Sequence, residues 1–70
     1  MLKTYLQAFF ESYQISFSVS YSDLKWECEK LGYNISNFNH DVRQTLTIMF
    51  CNDQIQYFEV NHNGLITVEM

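Results

Sequence analysis

Seventy residues with 47% hydrophobic side chains, 17% aromatics, 17% charged residues and no proline are too apolar for a disordered chain. They are also too few for a second core, because a chain of this size buries only about 60% of the surface it exposes when unfolded. Eight Asp and Glu against four Lys and Arg leave a net charge of −4, which repels polyanions at long range, so any nucleic-acid contact has to work locally against that field.

The first helix is read from Leu2, Tyr5, Leu6, Phe9, Phe10 and Tyr13, which fall at the spacing of one helical face with Lys3, Thr4, Gln7 and Glu11 opposite. From Ile15 the period changes to two. Ile15, Phe17 and Val19 alternate with Ser16, Ser18 and Ser20, the pattern of a short strand buried on one side. Ser20 is placed to cap a second helix, with Asp23 in its first turn opposing the positive helix end. The inner face of that helix is expected to be Tyr21, Leu24, Cys28 and Leu31, and Gly32 follows as a residue able to take the left-handed conformation that ends helices. A polar connection from Tyr33 to Phe38 leads to a third helix carrying Val42, Leu46, Met49 and Phe50, with Asn39 as its N-cap and Ser36 as the alternative start. Two β-rich runs, Gln54 to Asn61 and Leu65 to Met70, flank Asn63 and Gly64. That dipeptide is a strong hairpin signal, since both central residues of a type I′ turn need positive φ.

Helix, short strand, helix, turn, helix and hairpin is an order that resembles the winged helix-turn-helix superfamily over nearly the whole chain. The resemblance is most specific at Cys28 and Gly32, which stand where the family has a small residue packing between helices and, four residues later, the glycine that opens the turn. Val42 and Leu46 match core positions of the following helix. The connection from Gly32 to Asn39 is longer than the tight turn of the minimal motif. The resemblance implies an α+β fold, a winged helix-turn-helix domain spanning residues 1–70 with three helices, a short strand after the first and a C-terminal hairpin wing.

It also implies that the third helix is a recognition helix, presenting Asn39, His40, Arg43, Gln44 and Thr47 to DNA. Their chemistry suits that role: Arg pairs with guanine, Asn and Gln with adenine, and Thr with a thymine methyl. The same residues equally suit a solvated polar face. Only four fixed cations are present, Lys3, Lys25, Lys30 and Arg43, and the wing has none. One copy would make about two or three phosphate contacts, so DNA binding is expected to be weak unless a homodimer or a basic partner adds to them. The alternative is an acidic protein-interaction module, an inhibitor or adaptor, which binds a protein partner and does not contact DNA. A two-residue turn would place Tyr57, Ile66, Val68 and Met70 on one hairpin face and Phe58, Val60 and Leu65 on the other, leaving the latter as an outward apolar strip for association, whereas a larger loop would shift the register by one residue and bury both sets partly. Trp26 lies about 200° around the helix from Leu24. It is expected to lie across the core, and otherwise to join the partner surface.

Catalysis, metals and cofactors find little support. His40 and His62 are far apart, no CxxC pair exists, and Glu27 and Glu29 point to different sides of their helix. Gly32 and Gly64 cannot make a glycine-rich phosphate loop. Cys28 and Cys51 are expected to be buried free thiols. No run of about 18 apolar residues and no signal-peptide pattern is present, so a cytoplasmic protein without a membrane segment is expected.

Overall fold

The computed structural model describes residues Met1–Met70. Its elements in chain order are α1 (Leu2–Glu11), β1 (Phe17–Ser20), α2 (Tyr21–Lys30), α3 (Phe38–Cys51), β2 (Tyr57–Val60) and β3 (Leu65–Glu69). The strands form one antiparallel sheet in the order β1-β3-β2, so the C-terminal hairpin returns to pair with the short strand that follows α1. This is an α+β fold with a winged-helix-like layout. No helix is long and apolar enough to cross a membrane.

The core follows from the helical periodicity. Leu2, Leu6 and Phe10 from α1, Tyr21, Leu24 and Cys28 from α2, and Phe38, Val42, Leu46 and Met49 from α3 meet Ile55, Val60, Ile66 and Val68. Thr45 is also buried on α3, where its hydroxyl donates to the Asp41 carbonyl at 2.7 Å and so enters the interior satisfied. Aromatic rings close the ends: Tyr5 packs 5.2 Å from Tyr33, Tyr21 meets Phe38 edge-on at 5.1 Å, and Tyr13 stacks on Phe17 at 3.8 Å. Such pairs add roughly 0.5–1.5 kcal/mol each beyond the area they bury.

The helix ends have local causes. Ser20 adopts an extended conformation and its hydroxyl accepts from the Asp23 amide at 3.4 Å, the cap expected for α2. Gly32, at φ +92°, ends the same helix: its amide donates to Glu29 and the Tyr33 amide to Cys28, which uses two carbonyls the helix leaves open. Asp53, at φ 60°, makes the same closure after α3, with the Gln54 amide donating to Met49. The start of α3 differs from expectation. Asn37 is its N-cap residue, without a side-chain bond, and Asn39 lies inside the first turn.

Several positions depart from the periodic reading. Ile15 precedes β1 and is exposed, Leu31 lies beyond α2 and is exposed, and Phe50 is half exposed with its edge toward Phe58 at 6.4 Å. Trp26 is 61% exposed, so it does not cross the core. Lys30 holds its ammonium 5.0 Å from the indole, an attraction between cation and ring that gives an exposed tryptophan a local partner. Both thiols are free, but only Cys28 is buried and Cys51 is exposed.

The largest departure is in the hairpin. Asn61 donates to the Leu65 carbonyl, Gly64 donates to Asn61, and the Asn61 side chain accepts from the Asn63 amide at 3.0 Å. The side chain thereby builds its own turn, and the loop between the paired Asn61 and Leu65 is His62, Asn63 and Gly64 rather than two residues. Gly64 is not at positive φ; its role is to admit Asn61, whose Nδ2 would stand 3.1 Å from an added Cβ. One extra loop residue moves the register by one and exchanges the faces. Phe58 now pairs with Val68 and Val60 with Ile66, all four turned inward. The proposed outward strip of Phe58, Val60 and Leu65 therefore does not exist. Leu65 alone of the three is exposed, on a face shared with Tyr57, Glu59, Thr67 and Glu69.

Candidate functional site

α3 buries Val42, Thr45, Leu46 and Met49, which turns the opposite side of the helix outward. On that side lie the five residues considered for DNA contact. His40, Arg43 and Thr47 are exposed, and Asn39 and Gln44 are half-buried. The structure brings all five onto one helical face.

What most of them do there is local. The Arg43 Nε donates to Asn39 Oδ1 at 2.8 Å, four residues earlier in the same helix. Its Nη2 donates to the Val60 carbonyl at 2.8 Å, across to β2. The direction of that carbonyl follows from the ladder. Asn61 donates to Leu65, so these two form a hydrogen-bonded pair, and in an antiparallel ladder the adjacent pair, Val60 with Ile66, points its main-chain groups away from each other. Val60 therefore offers its carbonyl to the free edge of the sheet, and Arg43 closes it. An open strand edge is a template for unwanted pairing, and a guanidinium is well suited to cover it.

Thr47 donates its hydroxyl to the Arg43 carbonyl at 2.7 Å, inside its own helix. Gln44 is half-buried, and its Oε1 accepts from no protein donor. His40 remains as an exposed side chain on this face. The outer face of the wing, on the side of the sheet away from the core, is acidic: Tyr57 donates to Glu59 Oε2 at 2.8 Å, and this bond, with the charge of Glu59, pushes the Tyr57 phenol above its usual range. Glu69 lies on the same face.

The other cations are distributed over separate elements. Lys3 belongs to α1, and Lys25 and Lys30 belong to α2. No group of three His, Cys, Asp or Glu side chains is assembled that could hold a metal ion. Two open clefts are present. One, about 420 Å³, lies between the start of α1 and the α2–α3 connection, with Lys3, Asn34, Ser36, Asn37 and Asp41 in its lining. The second, about 350 Å³, lies between α1, β1 and α2, with Phe9, Tyr13 and Val19 facing Asp23 and Glu27. Sequence reasoning passed over this second cleft. The available signal was the spacing of four between Asp23 and Glu27, which puts both carboxylates on one side of α2, whereas Glu27 and Glu29 diverge.

No family model, characterised protein or solved structure matches this chain.

Proposed function

We propose that this chain is a winged-helix protein-interaction module, acting through its acidic surface and not by reading a DNA duplex with α3. The observation that carries this reading is Arg43. It is the only fixed cation on α3, and two of its donor groups are already spent on Asn39 and Val60. These bonds use two of the five N–H donors and fix the guanidinium plane against β2, so guanine could be met only in that one orientation, by the remaining Nη1 and Nη2 hydrogens. The outer face of the wing carries Glu59 and Glu69, and neither β2 nor β3 has a Lys or Arg to set against a phosphate. Repulsion of that kind suppresses a polyanionic partner and favours a basic one.

A DNA-binding regulator remains the second reading, supported by the shared outward face of Asn39, His40, Arg43, Gln44 and Thr47. Selection from a random duplex pool at physiological salt separates the two. The module reading expects no enriched sequence. An enriched sequence whose retention is lost in both His40→Ala and Gln44→Ala would replace it with the DNA reading.

A further inference from the structure

The cleft between α1, β1 and α2 combines three features suited to one kind of ligand. Its aromatic wall is built by Phe9 and Tyr13, whose rings meet edge-on at 5.6 Å, and Tyr13 is held in place by stacking on Phe17. Its opposite wall carries Asp23 and Glu27, both exposed and without a cation in the lining. Ser20 caps the Asp23 amide and leaves the carboxylate out of the cap, while Lys30 on the same helix is drawn to Trp26. Aromatic rings and two carboxylates in one lining suit a planar or compact cation, which the rings attract through their quadrupoles and the carboxylates through charge-assisted hydrogen bonds.

The third feature is the edge of β1, which borders the cleft at Val19. The Tyr21 amide donates to the Gly64 carbonyl, which makes those two a hydrogen-bonded pair. By alternation Val19 and Phe17 bond inward to Ile66 and Val68, and Ser18 turns both its amide and its carbonyl to the open edge, as Ser20 does its amide. On the opposite edge, at β2, the Val60 carbonyl is closed by Arg43. β1 is therefore the edge better placed to accept an added strand.

We infer that this cleft binds an extended basic segment of a partner protein, which adds as a strand to the β1 edge and places an arginine or lysine side chain between Phe9, Tyr13, Asp23 and Glu27. The inference rests on the interaction-module reading and specifies its partner. The net charge of −4 steers such a segment toward the chain, and the local carboxylates decide where its cation rests.

The test uses the full chain, labelled with nitrogen-15, and a peptide of about eight residues alternating threonine with arginine, an ordinary strand length. Versions with citrulline in place of arginine, and with N-methylated amides on the bonding side, are titrated in parallel. The arginine peptide is expected to shift Phe9, Val19, Ser20 and Glu27 signals, to bind about tenfold more tightly than the citrulline peptide, and to lose binding on N-methylation. Glu27→Gln should weaken the arginine peptide several-fold and leave the citrulline peptide unchanged. Asp23→Asn supplies a second variant on the same wall if the first disturbs α2. Equal binding of arginine and citrulline peptides, shifts confined to α3, or no binding would overturn the assignment. If the peptide fails and the duplex pool yields no enriched sequence, only this cleft is withdrawn; an enriched sequence withdraws the module reading itself.

Discussion

Arg43 illustrates how a residue type that suits recognition can be engaged by its own fold. Its guanidinium joins the middle of α3 to the edge of β2, and the Asn39 side-chain Oδ1 accepts from its Nε and holds it in the orientation that reaches Val60. Hydrogen bonds from a charged donor contribute roughly 1.5–3 kcal/mol when buried, and the part-exposed setting here lowers that to about 1 kcal/mol. Arg43→Gln should therefore destabilise the domain by about 1 kcal/mol, and Asn39→Ala by less, with the two effects not additive because they share one network. Urea unfolding of the two single variants and the double variant measures this. A neutral Arg43→Gln would show that the contact contributes nothing and that the arginine is free for another use. Cys28 shows the same dependence on surroundings in milder form: burial, with Glu27 nearby, raises its thiol above the ordinary value, as expected of a packing residue and not a nucleophile.

At the scale of elements, the helices and their order were legible because each carries its own signal. Leu6 and Phe10, Leu24 and Cys28, and Val42 and Leu46 stand at helical spacing, and Ser20 and Gly32 mark the two ends of α2. Burial was legible less evenly. Leu31 and Phe50 fit the helical period but lie at a helix end or the margin of the apolar face, where period alone does not decide what covers them. Trp26 was expected inside because the chain is small, yet α2 is amphipathic enough to leave it with solvent on one side and Lys30 beside it. The hairpin faces were illegible for a sharper reason: strand side chains alternate, so a loop longer by one residue reverses every assignment, and the Asn61 side chain chose the longer loop. With Phe58, Val60, Ile66 and Val68 turned inward, the hairpin is the lid of the core. Deleting residues 54–70 should abolish cooperative thermal unfolding and most helical circular dichroism. A truncated chain that keeps both would show that the three helices suffice without the sheet.

For the molecule as a whole, the choice of partner depends on the distribution of charge over a winged-helix-like frame. Fold alone does not assign a function, and the same frame can present α3 to a groove or a strand edge to a peptide. Here the cations are few and separated: Lys3 on α1, Lys25 and Lys30 on α2, and Arg43 held against β2. Carboxylates occupy the outer wing at Glu59 and Glu69 and the cleft wall at Asp23 and Glu27. The sequence showed the balance of charge, and the structure shows where each sign stands.

Duplex affinity as a function of salt tests this central claim most directly, because each neutralised phosphate contributes about −0.9 to the slope of log affinity against log salt. With Arg43 occupied and three lysines on two other helices, the full chain should give a slope shallower than about −2, with affinity no tighter than the roughly 10⁻⁴–10⁻⁶ M of non-specific binding at physiological salt. A slope of about −5 or steeper, together with nanomolar affinity for a defined duplex, would contradict the account and return α3 to the role of a recognition helix.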